Sequence, residues 1–393
     1  MSRTTIVDGS SAYVVNFDDP RAAGQIYQAI VIAQAIDEIT GEPLNVPIRV
    51  TTTLAGVRTK SGADGVAGLV GTPSKVFPDL ATLAYAFAIT FEAVGYMPWT
   101  ANINLAIQPS FPDDFMPVDL GQARMHRTPI SLTGTTVELD AQNHPVAVNG
   151  ATVSITGIWR RTANVDLSAP PGDPNVVSIT PSLYAERPNP GSDVEIVTLT
   201  PVVEPDRWLT LSASAGDRDL FVSQSIGLSG GAVVGIDRDD PDRAEHIEIQ
   251  QVIGPSDPNS PAILRLRFPL KYRHRENARV RLVTVPPVGP PDATTTDDAM
   301  VGDVTLFVNS TAAFGPAQTV RIHGGAFVPE YAECRLYSAV SDADGRYRLP
   351  WLSRLAAVEV TAHRSVPPPA LNATEPISFN YNLFENRHDL TLS

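Results

Sequence analysis

Short apolar or alternating runs recur along the chain, separated by clusters of glycine, proline and aspartate. In the N-terminal part they cover residues 27–36, 48–53, 83–93 and 102–107. Because these runs are rich in β-branched and aromatic residues and end at turn residues, each predicts a β-strand. We therefore expect an all-β, multi-domain protein, with a first β-sandwich over residues 1–107.

A proline-rich segment follows the first sandwich. Residues 108–117 hold three prolines, and proline disfavours regular structure both at its own position and at the preceding residue. Such segments act as semi-rigid spacers between domains. We therefore expect a linker over residues 108–126, after which a new strand pattern begins near Thr128.

The start of this second pattern repeats the first domain, but its continuation is displaced. Asp37 followed by Gly41-Glu42-Pro43 has its counterpart in Asp140 followed by His144-Pro145. The later turn Asp64-Gly65 has its counterpart only at Asp344-Gly345. A large insertion explains the longer interval. We therefore predict a second sandwich that begins at residues 127–165, is interrupted by residues 166–335, and is completed by residues 336–393.

The insertion contains a repeat of its own. The motif Gly216-Asp217-x-x-Leu220-Phe221-Val222 recurs 86 residues later as Gly302-Asp303-x-x-Leu306-Phe307-Val308. Each copy reads as a turn, a strand, a loop and another strand, which suits a small barrel or a folded hairpin. We expect two small β modules at about 206–286 and 292–335, of which the second is truncated.

Composition narrows the classes of function. The 393 residues carry 43 acidic and 29 basic side chains, a formal charge of -14, which argues against nucleic-acid binding by the whole protein because phosphate contacts need a positive surface. The single cysteine, Cys334, cannot form an internal disulfide. The N-terminus lacks the pattern of a signal peptide, and no apolar stretch reaches the length of a spanning helix. We expect synthesis in the cytoplasm and no membrane anchor.

Motifs of catalysis and of cofactor binding are missing from the sequence. It has no nucleophile elbow, phosphate-binding loop or dinucleotide fingerprint, and its seven histidines are scattered singly. We therefore expect a protein that is not an enzyme and that has no cofactor or metal site. One alternative stays open, because Asp237, Asp239 and Glu248 have the spacing of positions 1, 3 and 12 of a calcium loop. A solvated hairpin tip is the favoured interpretation.

A basic stretch is the main candidate for a functional surface. Leu264, Leu266 and Phe268, followed by Val280 and Leu282, alternate with basic residues, which suggests two strands that bury one face and expose a basic one. Against the acidic chain, this face would dock on an acidic patch of a neighbouring subunit. Alternatively, it would be a solvated face that balances the acidic loop, which we define as residues 237–248. The candidate assembly surface comprises Arg265, Arg267, Lys271, Arg273, Arg275, Arg279 and Arg281.

The repeats described above also resemble known families. The motifs that begin at Asp37 and at Asp140, with the later turns Asp64-Gly65 and Asp344-Gly345, resemble the carboxypeptidase regulatory-like family. This resemblance implies immunoglobulin- or transthyretin-like sandwiches. The Gly-Asp-x-x-Leu-Phe-Val motifs are similar to small β units of phage tail proteins and of phage-tail-like contractile injection systems. This resemblance implies a structural component that becomes part of a virion or tail-like particle after synthesis.

We therefore expect a non-enzymatic structural or assembly protein, which serves as a baseplate, fibre or tail-associated component. Its partners would be other structural subunits and further copies of itself in a homo-oligomer. The alternative is a carbohydrate- or cell-surface-binding module of the adhesin type, because exposed tryptophans can stack on sugar rings. The tryptophans are Trp99, Trp159, Trp208 and Trp351.

Overall fold

The protein is almost entirely β, with 50% of residues in strands and 1% in helix, which confirms the predicted class. The chain forms two compact units. The first comprises Met1–Thr128, Arg161–Asp166 and Tyr381–Phe384, and the second comprises Pro129–Arg160, Leu167–Asn380 and Glu385–Ser393. The structure, a computed structural model, describes residues 3–8, 11–16, 28–62, 64–112, 115–162, 164–187, 191–203, 207–240, 243–315, 317–324, 327–365 and 370–393. Within these ranges no helix has the length and apolarity needed to cross a bilayer.

The first unit is a two-sheet sandwich. Its sheets have the strand orders β5-β6-β3-β9 and β4-β7-β8, and they enclose one core that includes Phe77, Phe91 and Met125. Among the described strands, β1 and β2 form a separate two-stranded sheet. The elements are β1 (Arg3–Asp8), β2 (Ser11–Asn16), β3 (Gln28–Asp37), β4 (Ile48–Thr52), β5 (Arg58–Ser61), β6 (Val66–Gly71), α1 (Pro73–Val76), β7 (Tyr85–Ala93), β8 (Trp99–Leu105) and β9 (Val118–Met125).

Strand β9 lies within the segment expected as a linker. The prolines of that segment end at Pro117, and the next residues pair in parallel with β3, from Val31 with Val118 to Asp37 with Met125. Residues 113 and 114 lie outside the described part of the chain. Proline content marks only the first half of the segment, because the alternating residues after it complete the sheet of the sandwich.

The second unit holds the remaining strands, which fall into one sandwich and two barrels. They are β10 (Ser131–Leu139), β11 (Pro145–Ala147), β12 (Thr152–Arg160), β13 (Val176–Thr180), β14 (Asp193–Ile196), β15 (Thr200–Pro201), β16 (Asp219–Val222), β17 (Val233–Ile236), β18 (Glu245–Ile253), β19 (Ala262–Leu266), β20 (Val280–Thr284), β21 (Ala293–Thr294), β22 (Thr305–Phe307), β23 (Gln318–Gly324), β24 (Phe327–Leu336), β25 (Ser338–Val340), β26 (Arg346–Arg348), β27 (Leu355–Arg364), β28 (Leu371–Ser378), β29 (Glu385–Arg387) and β30 (Leu390–Leu392).

The sandwich of the second unit joins strands from both sides of the insertion. One sheet centres on β10, which pairs antiparallel with β26 and parallel with β29 and β30. The other has the order β25-β12-β27-β28. The same pairing pattern occurs in the first unit, where β3 pairs antiparallel with β6 and parallel with β9, while β4-β7-β8 form the second sheet. The two sandwiches are therefore built on one plan.

The first small module is a closed barrel. Its strands pair in the order β16-β19-β18-β17-β20. The ring closes through Trp208, which bridges Arg279, and through Leu209, which bridges Val222. Its fully buried interior includes Leu220, Ile236 and Leu264. Closure matters because it leaves the barrel without the unpaired edges of an open sheet.

The second module is also a closed barrel, but its strands come in a permuted order. The ring runs β22-β13-β24-β23-β14-β21 and closes through a bridge from Thr295 to Val308, 86 residues after the bridge from Leu209 to Val222. Strands β13 and β14 take the places of β19 and β20, although they precede the first barrel in the chain. The repeat near residues 292–335 therefore looks truncated in the sequence because its last two strands come earlier in the chain.

The two barrels meet at equivalent positions. His246 of β18 forms an antiparallel bridge with Tyr331 of β24, and these residues occupy the same place in the two rings, opposite Gly235 and Arg321 respectively. An antiparallel contact between equivalent residues defines a local pseudo-two-fold axis. The equivalence also relates the buried polar residues on either side of this axis.

Candidate functional site

The two barrels bury a glutamate at equivalent positions, Glu245 in the first and Glu330 in the second. Glu245 accepts hydrogen bonds from the backbone N–H groups of Lys271 at 3.0 Å and Tyr272 at 2.9 Å. Glu330 accepts from the corresponding groups of Tyr184 at 2.6 Å and Ala185 at 2.9 Å. The two carboxylates therefore hold equivalent loops by the same contacts.

Each buried glutamate also has a cationic partner. His274 Nε2 lies 2.9 Å from Glu245, and Arg187 Nη2 donates to Glu330 at 2.7 Å. His274 and Arg187 both have fully buried side chains. A buried carboxylate needs such a partner because desolvation of an isolated charge costs far more than its hydrogen bonds return.

Two side chains connect the barrels across the pseudo-two-fold axis. The Tyr184 hydroxyl donates to Glu245, and Lys271 Nζ donates to the Leu183 carbonyl at 2.8 Å. Lys271 Nζ also lies 5.2 Å from the centre of the Tyr184 ring. We call the set of Tyr184, Arg187, Glu245, Lys271, His274 and Glu330 the interbarrel network. It fixes the backbone from which the neighbouring arginines project.

The charges of the network follow from its burial and its pairs. Burial lowers the pKa of His274, but hydrogen bonds and charges from Glu245 and Asp237 outweigh it, so the pKa lies above its usual value. Asp237 lies 2.7 Å from His274 Nδ1, so both ring nitrogens face carboxylates. Burial raises the pKa of Tyr184 well above its ordinary value, and the nearby Glu245 raises it further. Tyr184 therefore remains a neutral hydroxyl donor.

The seven residues of the candidate assembly surface do not form one continuous basic stripe. Strands β19 and β20 do not pair with each other, because β18 and β17 lie between them in the ring. Three of the arginines pair with acidic side chains, and the lysine belongs to the interbarrel network. The pairs are Arg265 with Asp219, both contacts at 2.9 Å, Arg267 with Glu248 at 3.1 Å, and Arg279 with Asp239 at 3.8 Å.

Arg273 and Arg275 are placed differently. Both are exposed, and they flank the inward-facing His274. Neither forms an ion pair within the described part of the chain. They line a cleft of about 660 Å³, which we call the basic cleft, together with Ser212, Arg243, Tyr272 and Glu276. Arg243 has a single long ion pair, 3.7 Å to Asp240.

Sequence patterns did not identify Ser212 or Arg243 as part of this site. Ser212 reaches the cleft because the next residue, Ala213, forms a bridge with His274. Arg243 lies in the acidic loop, more than 25 residues before Arg273. No local pattern signals either residue, because ring closure of the barrel brings them together.

The carboxylates of the acidic loop turn to different partners. Asp237 contacts His274, Glu245 is buried in the interbarrel network, and Glu248 pairs with Arg267. Pro241 and Asp242 lie outside the described residues. Where the structure describes side chains, no three ligands of the His, Cys, Asp or Glu type are grouped to hold a metal ion.

The tryptophans have different environments. Trp99 packs on Phe91 with ring centres 5.5 Å apart, and Trp159 donates its indole N–H to the Ala169 carbonyl at 2.9 Å. Trp208 and Trp351 are each 42% exposed. Only the last two therefore present a substantial ring surface to solvent.

The first unit has an ionic cluster of its own, around Asp37. This carboxylate is 4% exposed and accepts hydrogen bonds from Tyr96 Oη at 3.0 Å, Arg127 Nε at 2.9 Å and Arg161 Nη2 at 3.2 Å. Burial would raise the pKa of Asp37, but the two arginines and the hydrogen bonds lower it below its ordinary value. The cluster ties residues 127 and 161 to the end of β3.

Comparison of the chain with protein-family models, with curated proteins and with solved structures gives no match.

Proposed function

We propose that the chain is a non-enzymatic structural or assembly protein that contacts other subunits of a larger particle. The observation that carries this proposal is the basic cleft, where Arg273 and Arg275 are exposed without an ion pair among the described residues. Neighbouring Arg265 and Arg267 are satisfied within the barrel. Exposed charges on a rigid frame favour recognition of a complementary surface.

The particle is proposed to be a phage tail or a phage-tail-like contractile injection system, in which the chain is a baseplate, fibre or tail-associated component. The resemblance of the Gly-Asp-x-x-Leu-Phe-Val motifs supports this setting. Both motifs occupy the same position in closed barrels, since Ser214 and Met300 donate their N–H groups to Asp217 and Asp303, each at 2.7 Å. The chain would be synthesised in the cytoplasm and then incorporated, alone or as a homo-oligomer.

The sandwiches are proposed to have the immunoglobulin- or transthyretin-like layout of the carboxypeptidase regulatory-like family. Their shared pairing plan supports this, because a parallel last strand joins the sheet of β3 in one and of β10 in the other. Sandwiches of this kind serve as spacers and assembly domains in many proteins, so the layout fits the proposal without specifying a position in the particle.

The absence of catalysis is part of the proposal. The side chains of Glu245, His274 and Glu330 are buried, and the two glutamates are held in ion pairs within their own barrels, Glu245 with His274 and Glu330 with Arg187. An acid or base needs access to a substrate within hydrogen-bond reach. Side chains that are held in buried ion pairs instead orient the two barrels relative to each other.

Incorporation into particles tests the proposal. We expect that Arg273→Glu together with Arg275→Glu lowers the amount of the chain that sediments with tail-like particles at least tenfold, because like charges then face the partner. Arg218→Glu is the matched control, since Arg218 is exposed on the same barrel outside the cleft. Absence of the unmodified chain from sedimented tail-like particles would contradict the proposal, and unchanged incorporation of the double variant, with native circular dichroism, would contradict the role of the basic cleft.

A second candidate is the carbohydrate- or cell-surface-binding module. The observation in its favour is Trp351, whose side chain is 42% exposed. The Arg348 guanidinium lies 5.5 Å from the centre of its ring. Titration calorimetry against a panel of glycans tests this candidate, which requires saturable binding that Trp351→Ala abolishes while Trp159→Ala preserves it.

A further inference from the structure

We propose that the basic cleft binds an extended acidic segment of a partner subunit, with carboxylates at alternate positions. This inference rests on the proposed assembly function and names the chemistry of the partner. It follows from the charge of the cleft, from the spacing of Arg273 and Arg275, and from the rigidity of the backbone that carries them.

The charge of the cleft selects an anion. Among the residues that the structure describes, its lining contains the guanidinium groups of Arg243, Arg273 and Arg275 and one carboxylate, that of Glu276. Guanidinium groups pair with carboxylates through two parallel hydrogen bonds. The same barrel already contains such a pair, since Arg265 donates from Nε and Nη2 to the two oxygens of Asp219, each at 2.9 Å.

The spacing of the two arginines selects an extended segment. His274 exchanges both backbone hydrogen bonds with Ala213 at 2.9 Å and turns its side chain into the barrel. Arg273 and Arg275 therefore leave the opposite side of an extended backbone, with Cα atoms about 6.6 Å apart. Acidic residues at alternate positions of an extended partner strand repeat at the same distance.

Both backbone hydrogen-bonding groups of His274 pair with Ala213, and the Arg275 carbonyl accepts from the Ala278 N–H at 3.1 Å. The proposed recognition uses the arginine side chains. The Tyr272 hydroxyl is held by the Thr180 hydroxyl at 2.8 Å, and both ring nitrogens of His274 are held by carboxylates. These hydrogen bonds hold the backbone around Arg273 and Arg275 in place before binding. The conformational entropy lost on binding is then mainly that of the arginine side chains and of the partner segment.

A nucleic acid fits the cleft less well than an acidic peptide. A phosphate backbone is followed by a continuous track of cations. Here Arg265 and Arg267, which would extend such a track, are paired with acidic side chains at 2.9 and 3.1 Å, whereas Arg243 and Arg279 have longer ion pairs of 3.7 and 3.8 Å. The free charge is therefore confined to a patch that matches two or three carboxylates.

Binding of labelled peptides to the full chain tests the inference by fluorescence anisotropy. The probe is a ten-residue peptide with aspartate at alternate positions and threonine between them. The comparison peptides have the same composition with the aspartates in one block, or asparagine in place of aspartate. We expect the alternating peptide to bind best, and Arg273→Ala and Arg275→Ala each to weaken it about tenfold, as the loss of a charge-assisted pair implies. Arg218→Ala should bind normally.

Four outcomes would overturn the inference. They are equal binding of the block peptide, equal or tighter binding of a single-stranded oligonucleotide of the same charge, full competition by inorganic phosphate at equimolar charge, and self-association of the chain that Arg273→Ala abolishes. Circular dichroism of each variant checks that it is folded.

The particle assay separates this inference from the proposed function. If the charge-reversal variant fails to incorporate while no peptide binds, the inference fails and the assembly function stands. If the peptide binds as expected while the unmodified chain does not sediment with tail-like particles, the assembly function fails.

Discussion

His274 and Arg187 occupy equivalent positions in two barrels related by circular permutation, and each supplies the cation for a buried glutamate. His274 forms a β-bridge with Ala213, and Arg187 forms one with Ala299. Ala299 lies 86 residues after Ala213, which is the spacing of the repeat. The chemistry differs, because arginine stays charged at all ordinary pH values whereas histidine loses its charge near neutrality. The cation of one half of the interbarrel network therefore titrates near neutrality, and the cation of the other half does not.

The first prediction concerns this sensitivity. The pKa of His274 is raised above its value in the unfolded chain, so its stabilising contribution is fully present below about pH 6.5 and is lost as the pH rises through the folded pKa. We expect the melting temperature of the second unit to fall over that interval. Calorimetry from pH 5.5 to 9 measures the slope, and His274→Gln should flatten it.

His246 is the control for this prediction. Burial lowers its pKa to about 4, so it is neutral throughout the interval, and His246→Gln should leave the slope unchanged. A slope that persists in His274→Gln would assign the pH dependence to other groups.

The second prediction concerns the pair of Arg187 and Glu330. Removal of one partner leaves an uncompensated buried charge, so Arg187→Met should destabilise the protein by about 3–5 kcal/mol. Arg187→Met combined with Glu330→Gln should cost less than the sum of the single changes, because no buried charge remains. Urea denaturation of the four proteins closes the cycle. Additive changes would show that the two residues do not interact.

The third prediction concerns Asp37 in the first unit. Its pKa is lowered in the folded protein, so its contribution to stability is present above the unfolded pKa of about 3.9 and is lost as the pH falls through the folded pKa. Asp37→Asn should therefore lower the melting temperature by several degrees at pH 7 and by less at pH 2. Asp119→Asn is the control, since among the described residues the Asp119 carboxylate accepts one exposed hydrogen bond, from the Gly121 N–H. A loss of equal size at both pH values would contradict an ionic role.

The parts of the fold that the sequence predicted are those set by local turn chemistry. The Asp-Gly turns are an example. Gly65 and Gly345 have φ values of +71° and +74°, and a Cβ atom would lie 2.2 Å from the Ala35 carbonyl oxygen and 2.6 Å from that of Thr136. Only glycine fits both the conformation and the space. Because the contact requires one residue type at a fixed place in a short motif, a single sequence is enough to predict such a turn.

The interbarrel network and the basic cleft depend on contacts distant in sequence. Arg265 and Arg273 belong to the same basic run, yet only Arg265 has a carboxylate opposite it, on a strand 46 residues earlier. The register of β16 with β19 causes this difference, and the order of charges within the basic run does not predict that register. The structure is therefore needed to identify which arginines have a carboxylate partner.

The last prediction tests the permuted order of the barrels. Residues 193–196 and 292–294 run side by side, since Asp193 pairs with Thr294 and the Ile196 N–H donates to Asp292 at 2.7 Å. Replacement of residues 198–290 by a short Gly-rich loop should therefore convert β14 and β21 into an ordinary hairpin and leave the second barrel complete. We expect cooperative thermal unfolding and dispersed amide resonances.

The matched control removes residues 292–335, which are the second repeat as read in chain order. This deletion takes away β21, β22, β23 and nearly all of β24, so β13 and β14 lose their partners. We expect exposed apolar surface, loss of cooperative unfolding and rapid proteolysis, because an incomplete ring cannot bury Val177, Ile179 and Val194. If the control folds cooperatively and the first deletion does not, the barrels are not related by permutation, and the equivalence of His274 and Arg187 has no basis.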